Sequence, residues 1–450
     1  MTRVQCVAVG CAAVLACAGD VAAQNWSFDA RQIGLGGIGS GADIGASMID
    51  EQKPYSAIVI PFGLLQIIPN KSVFDPGSDA FDPVRAAEYA GSPLHYVIGR
   101  DDTDTGQRFV TDIRNATLSR DLNVYRGFVP AASITEAGLA NPSWGGTIKV
   151  HRGANNAFHG VYIGAGPYFS MQTEAAVDER LRTLLASPTP VLSPNTSFLL
   201  SDATTNQLAL AVTGGYRARM ALPSGVGGGT AANGIYVAAN YHYLRGFRLE
   251  DFAFDMRLDT DNAGLVTARP GVAPIVIGRS YATSGRGHAI DVGVGAVVDR
   301  WQFGFGANGL GNGIDWRDAQ RQSYTLASLL GGGDFVESPA VPIGDIRVEL
   351  PVEYRAHTAY TSGGWSGAAE YARGLQGKQF RGGLERTLGR IALRGGGRYL
   401  RDHWEPAGGV GLNVSGRVGL DIAAYTTRAN VQRKRHVAVA TSLRLMRRQK

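Results

Sequence analysis

Few residues in this chain have the types and spacing that could support chemistry. Gly34 to Gly39 spell Gly-x-Gly-x-x-Gly, which binds dinucleotide phosphates when it follows a buried strand and opens a helix. No strand pattern precedes it, and the same spacing recurs from Gly304 to Gly309 inside a strand pattern. Asp259 to Gly264 resembles a calcium loop, but Ala263 and Pro270 stand where that loop requires oxygen ligands. The sequence therefore predicts neither a nucleotide site nor a calcium site.

Signatures of hydrolytic and metal chemistry are equally weak. The eight histidines include no His-Glu-x-x-His motif, and there is no intact Gly-x-Ser-x-Gly. His151 and His159 fall on one predicted hairpin, and two imidazoles alone do not make a metal site. We therefore expect no enzyme, no metal and no cofactor. Ser and His brought together from neighbouring strands would be the one route to a hydrolase.

Composition limits the elements that could position any site. Glycine accounts for 61 of 450 residues, roughly twice its usual share, and it disfavours helices. There is no Gly-x-y repeat, and 44% of the residues are hydrophobic, which excludes collagen and wholesale disorder. The net charge of +6 is modest, and we expect no nucleic-acid partner.

The N-terminus predicts export from the cytoplasm. Met1 to Ala23 has a basic start, an apolar stretch and a small-residue cleavage site before Gln24, as in a secretory signal peptide. Its removal would take all three cysteines, Cys6, Cys11 and Cys17. The mature chain would then contain neither a thiol nor a disulfide.

Period-two alternation of apolar with polar or small residues dominates the second half of the chain. From Ile290 to Asn308 the apolar residues occupy every second position on either side of Asp299-Arg300. A two-residue turn would pair Val298 with Trp301, so that all of these apolar side chains share one face. The same alternation recurs at 208–220, 235–243, 391–399, 410–422 and 437–445.

The predicted fold class is all-β, a transmembrane antiparallel β-barrel of about 14 strands (range 12–16) with an N-terminal segment plugging the lumen. Tight turns would alternate with long loops near 178–206, 250–286 and 312–345, and the stretches 181–186 and 324–330 could each form a short helix. The face opposite the apolar one is rich in glycine rather than in the Lys and Glu of a soluble sandwich. Trp301, Trp316, Tyr243 and Trp404 lie near strand ends, where an interfacial aromatic girdle would lie. The chain ends in Arg447-Arg448-Gln449-Lys450 without the terminal aromatic residue of many bacterial barrels.

Two stretches carry a family resemblance. The first is Asp29-Ala30-Arg31-Gln32-Ile33-Gly34-Leu35-Gly36-Gly37-Ile38-Gly39, and the second joins Asp291-Val292-Gly293-Val294 to Trp301-Gln302-Phe303-Gly304 and Gly313-Ile314-Asp315-Trp316. They resemble the FadL-like superfamily of outer-membrane barrels, which includes TraF-like and PorV-like members. The resemblance implies a barrel of about fourteen strands, formed by residues 57–450, with residues 24–56 as a plug or hatch inside it.

The predicted function is passive transport or binding of a small hydrophobic solute in the outer membrane of a Gram-negative envelope. The lumen would be lined by Asp291, Gln302, Asn308, Asn413 and Asp421. The plug would carry Asp29, Arg31, Gly34, Gly36 and Gly37. Outer-membrane lipid and lipopolysaccharide would surround the barrel, and their phosphates would attract outward-facing basic clusters.

Two alternatives stay open on the sequence alone. The first is a non-transporting barrel that anchors or assists a secretion, conjugation or surface-attachment machine through its long loops. The second is a secreted, soluble β protein.

Overall fold

The computed structural model describes residues 29–38, 55–61, 95–98, 133–140, 144–178, 180–181, 191–223, 232–326, 335–374, 377–400, 403–428 and 435–448. The predicted signal peptide, most of the 24–56 plug and the terminal Gln449-Lys450 lie outside these residues. Among the described residues, no helix is long and apolar enough to cross a membrane.

The described elements are nearly all strands. The short helix α1 spans Ala30–Gly34 and a 3-10 turn spans Ala154–Asn156. The strands of the first half are β1 Tyr55–Pro61, β2 His95–Ile98, β3 Ser133–Ala140, β4 Trp144–Arg152, β5 Phe158–Val177, β6 Ser197–Met220, β7 Gly234–Thr260, β8 Val266–Thr267, β9 Ile275–Ala282 and β10 Gly285–Val298. Those of the second half are β11 Trp301–Leu326, β12 Phe335–Glu337, β13 Val341–Val348, β14 Glu353–Ser362, β15 Trp365–Gly374, β16 Gly377–Leu388, β17 Ile391–Leu400, β18 His403–Ser415, β19 Val418–Arg428 and β20 Arg435–Arg448.

These strands form one antiparallel sheet, and several of them share a lateral position. β9 and β10 follow one another along β7, and β12, β13 and β14 follow one another along β11. β3 and β4 pair with β5, and β1 and β2 pair with β20. Around the wall the order is β3–β4, β5, β6, β7, β8–β10, β11, β12–β14, β15, β16, β17, β18, β19, β20 and β1–β2.

The described residues therefore contain 20 strands, more than the predicted 12–16, because interrupted strands are counted by their pieces. Counted as neighbours in the wall, the described strands occupy fourteen positions. The antiparallel barrel predicted from the alternation is confirmed.

At one end of the barrel, short turns join neighbouring strands. Two-residue turns join β10 to β11, β14 to β15, β16 to β17 and β18 to β19. In the β14–β15 turn, Gly363 and Gly364 both have positive φ angles, 55° and 80°, which is the backbone of a type I′ hairpin turn. We call this the tight-turn end and the opposite end the loop end.

The wall is much taller on one side than on the other. β6, β7 and β11 have 24, 27 and 26 residues, whereas β14, β15 and β17 have 10 each, about the length that spans a membrane. Strand structure therefore occupies much of the 178–206, 250–286 and 312–345 ranges, where long loops were predicted. Tyr324 to Leu326, in the predicted short helix, pair with β9 and β12. The helix prediction is therefore wrong for these residues, and 327–330 lie outside the described residues.

The two faces of the wall have the opposite character to those of a soluble protein. Val294, Phe303 and Phe305 point outwards and are 43%, 45% and 50% exposed, whereas Val297 points inwards and is buried. The pairings Val298–Trp301 and Val294–Phe305 are those that the sequence predicted. Buried polar and charged residues fill the inner face, including Arg217, Arg355, Glu370 and Asp421. A polar interior within an exposed apolar exterior is the architecture of a transmembrane β-barrel.

At the loop end, the tall side of the wall carries a covered apolar cluster. Phe198 and Leu200 of β6 and Met256 and Leu258 of β7 lie on the face that continues the barrel exterior. They are buried against Leu181, Val266, Ile275, Leu326 and Leu192. Apolar surface outside a bilayer has to be shielded from water, so this cover indicates that the strands extend beyond the apolar belt.

Candidate functional site

Buried charges run across the inner face of β14 to β20. Arg355 pairs with Glu353 and, at 2.7 Å, with Glu370, whose Oε1 also accepts from Arg381 Nη1 at 3.1 Å. Further round the wall Arg394 pairs with Glu385 at 2.6 Å and with Asp421 at 2.8 Å, and Arg444 Nε reaches Asp421 at 3.0 Å. We call Glu353, Arg355, Glu370, Arg381, Glu385, Arg394, Asp421 and Arg444 the inner charge row. Buried charges persist only when paired, and each member has an opposite charge within reach.

The N-terminal segment, residues 29–38, sits on this inner charge row. Arg31 forms a two-pronged ion pair with Glu385, with Nε 3.0 Å from Oε2 and Nη2 2.8 Å from Oε1. Arg381 Nη1 donates to the carbonyl oxygen of Gly37 at 3.0 Å. At the other end of the segment, the backbone N–H of Ala30 donates to Ser442 Oγ at 3.1 Å. The segment is therefore held at both ends by polar side chains of the wall.

Local sequence explains why the segment folds into one compact turn. The Asp29 carboxylate caps α1 by accepting from the backbone N–H of Arg31 at 2.9 Å. Gly36 has a φ of 78°, and its N–H donates to Ile33 O at 3.0 Å, which ends the helix. Ala30 and Ile33 pack on Ala423, Ala440 and Tyr425 of the inner wall.

A line of wall glycines leaves room for the backbone of this segment. A Cβ added to Gly396 would lie 2.5 Å from Leu35 C and 2.7 Å from Gly36 N, and one added to Gly383 would collide with Leu35 O. Gly409 lies against Gly34, and a Cβ added to Gly409 would lie 3.4 Å from the Cα of Gly34. We call Gly383, Gly396 and Gly409 the glycine track. Their lack of side chains permits the close approach of the segment.

Contact with the inner wall changes the pKa values of Asp29 and Arg31. Burial raises the pKa of the Asp29 carboxyl, and nearby Asp421 adds to the rise against the opposing N–H of Arg31 and the charges of Arg31 and Arg444. For Arg31, burial lowers the pKa, but the hydrogen bond and the charge of Glu385 outweigh it, so the pKa is raised overall. Arg31 therefore stays charged, whereas seating the segment favours the protonated form of Asp29.

The predicted lumen residues all lie on the inner face but not in one cluster. Asp421 and Asn413 meet at Arg444, which donates to both of them. On the other side of the barrel, Asp291 lies beside His242, and Gln302 is 3.4 Å from His357. Asn308 is buried and faces Glu353 across β11 and β14. No contact with a solute tests these five positions, and their role in solute binding remains a prediction.

The predicted plug residues have distinct positions in the seat. Asp29 and Arg31 make the capping and ion-pair contacts described above, and Gly34 touches Gly409. Gly36 packs on the backbone of Gly397, and Gly37 supplies the carbonyl that Arg381 binds. Sequence reasoning missed the wall partners Glu385, Arg381 and Ser442. Their alternation with outward apolar residues was a usable signal, but only the three-dimensional pairing shows which strands face the segment.

A hydrogen-bonded chain of Thr213, His242 and Asp291 crosses three strands. Thr213 Oγ1 lies 2.8 Å from His242 Nδ1, and His242 Nε2 lies 2.7 Å from Asp291 Oδ2. Asp291 also accepts from the backbone N–H of Gly309 at 2.7 Å, at the bulge of β11. With Thr213 2% exposed, the chain ties β6, β7, β10 and β11 together. Within the described part of the chain, no group of three or more His, Cys, Asp or Glu could hold a metal.

Towards the loop end the inner face becomes apolar. Trp316 is fully buried there and donates from Nε1 to Gln207 Oε1 at 3.1 Å. It packs with Tyr168, Leu244 and Ile314, and partly buried Ile346 lies beside it. The expected place of Trp316 in an outer aromatic girdle was therefore wrong. Trp316 pairs with inward Gly285 and, because the two one-residue shifts between Ala307 and Gly313 cancel, it lies on the same face of β11 as inward Gln302. Trp301, Tyr243 and Trp404 are exposed, as a girdle requires.

Comparisons with known proteins give matches at the level of structures only. No protein-family model and no curated protein matches the chain. Among solved structures, the deltaS2S3 mutant of the TodX monoaromatic hydrocarbon channel is 11% identical, covers 71% of this chain and 91% of its own, and has a TM-score of 0.32. The toluene transporter TbuX of Ralstonia pickettii is 11% identical, covers 73% and 92%, and scores 0.33. Outer membrane phospholipase A of Escherichia coli is 10% identical, covers 57% and 97%, and scores 0.23. Similarities of this size do not show a shared family or activity.

Proposed function

We propose that this protein is an outer-membrane barrel through which a small hydrophobic solute passes or in which it binds, with the N-terminal segment as a plug. The observation that carries the proposal is the seat of residues 29–38 on the inner charge row of a barrel whose exterior is apolar. Short connections and an apolar belt fit an outer-membrane barrel with its tight-turn end in the periplasm.

An apolar cluster on the inner face near the loop end supports an apolar solute. Trp316, Leu244 and Ile314 form a closely packed apolar cluster on the inner wall there, each at most 1% exposed, whereas the inner charge row lies beside the plug. A small uncharged apolar molecule that parts these side chains would gain from contact with Trp316, since burial of apolar surface is favourable. A sugar or an ion would leave polar groups unsatisfied at the same place.

Deletion of residues 29–46 tests the plug directly. In planar bilayers, the deletion variant should conduct more than the full-length barrel, because the segment that fills part of the lumen is gone. In proteoliposomes, the influx of a small aromatic hydrocarbon should rise as well. Unchanged conductance and unchanged influx would refute a plugged channel.

Solute binding has a separate readout in the fluorescence of Trp316. A small aromatic hydrocarbon should change the emission of the wild-type barrel, whereas glucose should not. The response should be lost in Trp316→Phe, which keeps the other five tryptophans. A barrel that shows neither the response nor any influx, but can be cross-linked to envelope proteins, would be the anchoring barrel instead.

A further inference from the structure

Two arginines stand directly opposite each other on the outer face of the barrel towards its loop end. Arg245 of β7 faces Arg286 of β10 in the sheet register. On its other side Arg286 faces Asp315 of β11, and Asp315 faces Arg347 of β13. We call Arg245, Arg286, Asp315 and Arg347 the basic rim. It runs as one row over four adjacent strands.

The single carboxylate in the basic rim is already engaged. Arg347 Nη1 donates to both oxygens of Asp315, at 2.9 and 3.1 Å, and its Nε binds Glu349 at 2.5 Å. Among the residues that the structure describes, no carboxylate lies within 4.0 Å of a guanidinium nitrogen of Arg245 or Arg286. Like charges placed directly opposite each other destabilise a strand pair. An anion between Arg245 and Arg286 would relieve this repulsion.

The height of the basic rim along the barrel indicates which anion it would meet. Towards the tight turns, the same outer face presents Tyr243, Tyr241 and Ile290, which are 42%, 51% and 39% exposed. Val298, which pairs with Trp301 at the tight-turn end, lies 12 positions along β10 from Arg286, and the longer count along β11 includes two bulge residues. At about 3.3 Å per residue and a tilt of about 40°, these 12 positions span roughly 30 Å across the membrane. The row therefore lies just outside a hydrocarbon band about 25 Å tall, beyond tyrosines of the interfacial kind.

We propose that the basic rim binds phosphate groups of lipid headgroups in the leaflet around the loop end. The planar guanidinium groups of Arg245 and Arg286 can each donate two hydrogen bonds to phosphate oxygens. A second exposed like-charge pair, Arg373 of β15 opposite Lys378 of β16, lies at the loop end of its hairpin. The proposal rests on the membrane position given under the proposed function but not on transport.

Lipid titration in a neutral detergent tests the proposal. Purified barrel in dodecyl maltoside is titrated with bis-phosphorylated lipid A, and bound lipid is counted by native mass spectrometry. The double variant Arg245→Gln/Arg286→Gln should bind lipid A about tenfold more weakly than wild type. The matched control, Arg300→Gln/Arg390→Gln, removes two exposed arginines of the tight turns and should bind like wild type.

Stability gives a readout that a purely structural role would not move. Without lipid, Arg245→Gln/Arg286→Gln should unfold at the same temperature as wild type or above it, because the repulsion is gone. Added lipid A should raise the unfolding temperature of wild type more than that of the variant. Equal lipid binding by the two proteins, or equal loss in the control variant, would overturn the proposal.

Two further arms identify the source of the phosphate. Dephosphorylated lipid A should not bind to the basic rim, and inorganic phosphate at the same concentration should not displace lipid A. If inorganic phosphate displaces lipid A, the basic rim is a site for free phosphate rather than for lipid headgroups, and the proposal is overturned. Solute influx through Arg245→Gln/Arg286→Gln should equal that of wild type, so failure of lipid binding is distinguishable from failure of transport.

Discussion

At the scale of single residues, Arg31 joins the N-terminal segment to the wall. Its replacement by Gln removes the ion pair with Glu385, in which the Arg31 side chain keeps 40% of its surface exposed. Because solvent screens such a pair, we expect a cost of roughly 1 kcal/mol in seating. The ratio of seated to released plug should fall about fivefold. Single-channel recordings should show a correspondingly higher open probability for Arg31→Gln, and Arg390→Gln, in a tight turn, should behave like wild type.

Asp29 gives the seat a defined pH dependence. Its pKa is raised in the seated state above the ordinary value of 3.8, so the seated plug holds the proton more tightly than the released one. The contribution of Asp29 to seating is therefore complete below pH 3.8 and is lost as the pH rises through the seated pKa.

Asp29→Asn should isolate that contribution. Its side-chain oxygen can still cap α1, but it does not titrate. The difference in open probability between wild type and Asp29→Asn should grow as the pH rises from below 3.8. A difference that is constant across this range would contradict the role assigned to Asp29.

At the scale of elements, the glycine track determines whether the segment fits. A methyl group at Gly396 would meet Leu35 and Gly36, whereas one at Gly395, on the other face of β17, meets nothing within 4 Å. Gly396→Ala should therefore release the segment, and Gly395→Ala should leave it seated. Protease cleavage within residues 29–38 of the reconstituted protein measures release. Equal cleavage of the two variants would mean that the track does not select the segment.

Sequence alone predicted the elements best where lipid makes the alternation strict. The β10–β11 hairpin and its register are such a case, because each outward apolar residue between Ile290 and Phe305 needs an apolar neighbour. The same reasoning failed for 197–206, 250–260 and 312–326. There the strands extend beyond the apolar belt, and both faces mix polar and apolar residues. The apolar–polar alternation that predicts a strand is therefore lost.

The candidate site was less predictable than the wall. Arg31 and the glycines of the segment were identified from the chain, and Asp421 and Asn413 were assigned to the inner face. Their partners Glu385 and Arg381 lie more than 340 residues from the segment. No local pattern specifies a contact at that separation, because it depends on how the whole wall curves.

At the scale of the whole molecule, the central claim is that a ring of outward apolar side chains faces lipid while the inward ones face a polar, plugged interior. The three natural cysteines lie within residues 6–17, so in the predicted mature chain single cysteines can be placed at will. Phe303 and Ala296 point outwards and face each other across the hairpin, whereas Gln302 and Val297 form the neighbouring inward pair. Val297 is decisive because it is apolar yet inward.

The most direct test attaches a fluorophore to a single cysteine at each of these four positions in reconstituted bilayers and adds nitroxide-labelled lipid. Emission from positions 303 and 296 should be strongly quenched, and emission from positions 302 and 297 should change little. Equal quenching at 296 and 297, or stronger quenching at 297, would contradict the barrel with an apolar exterior.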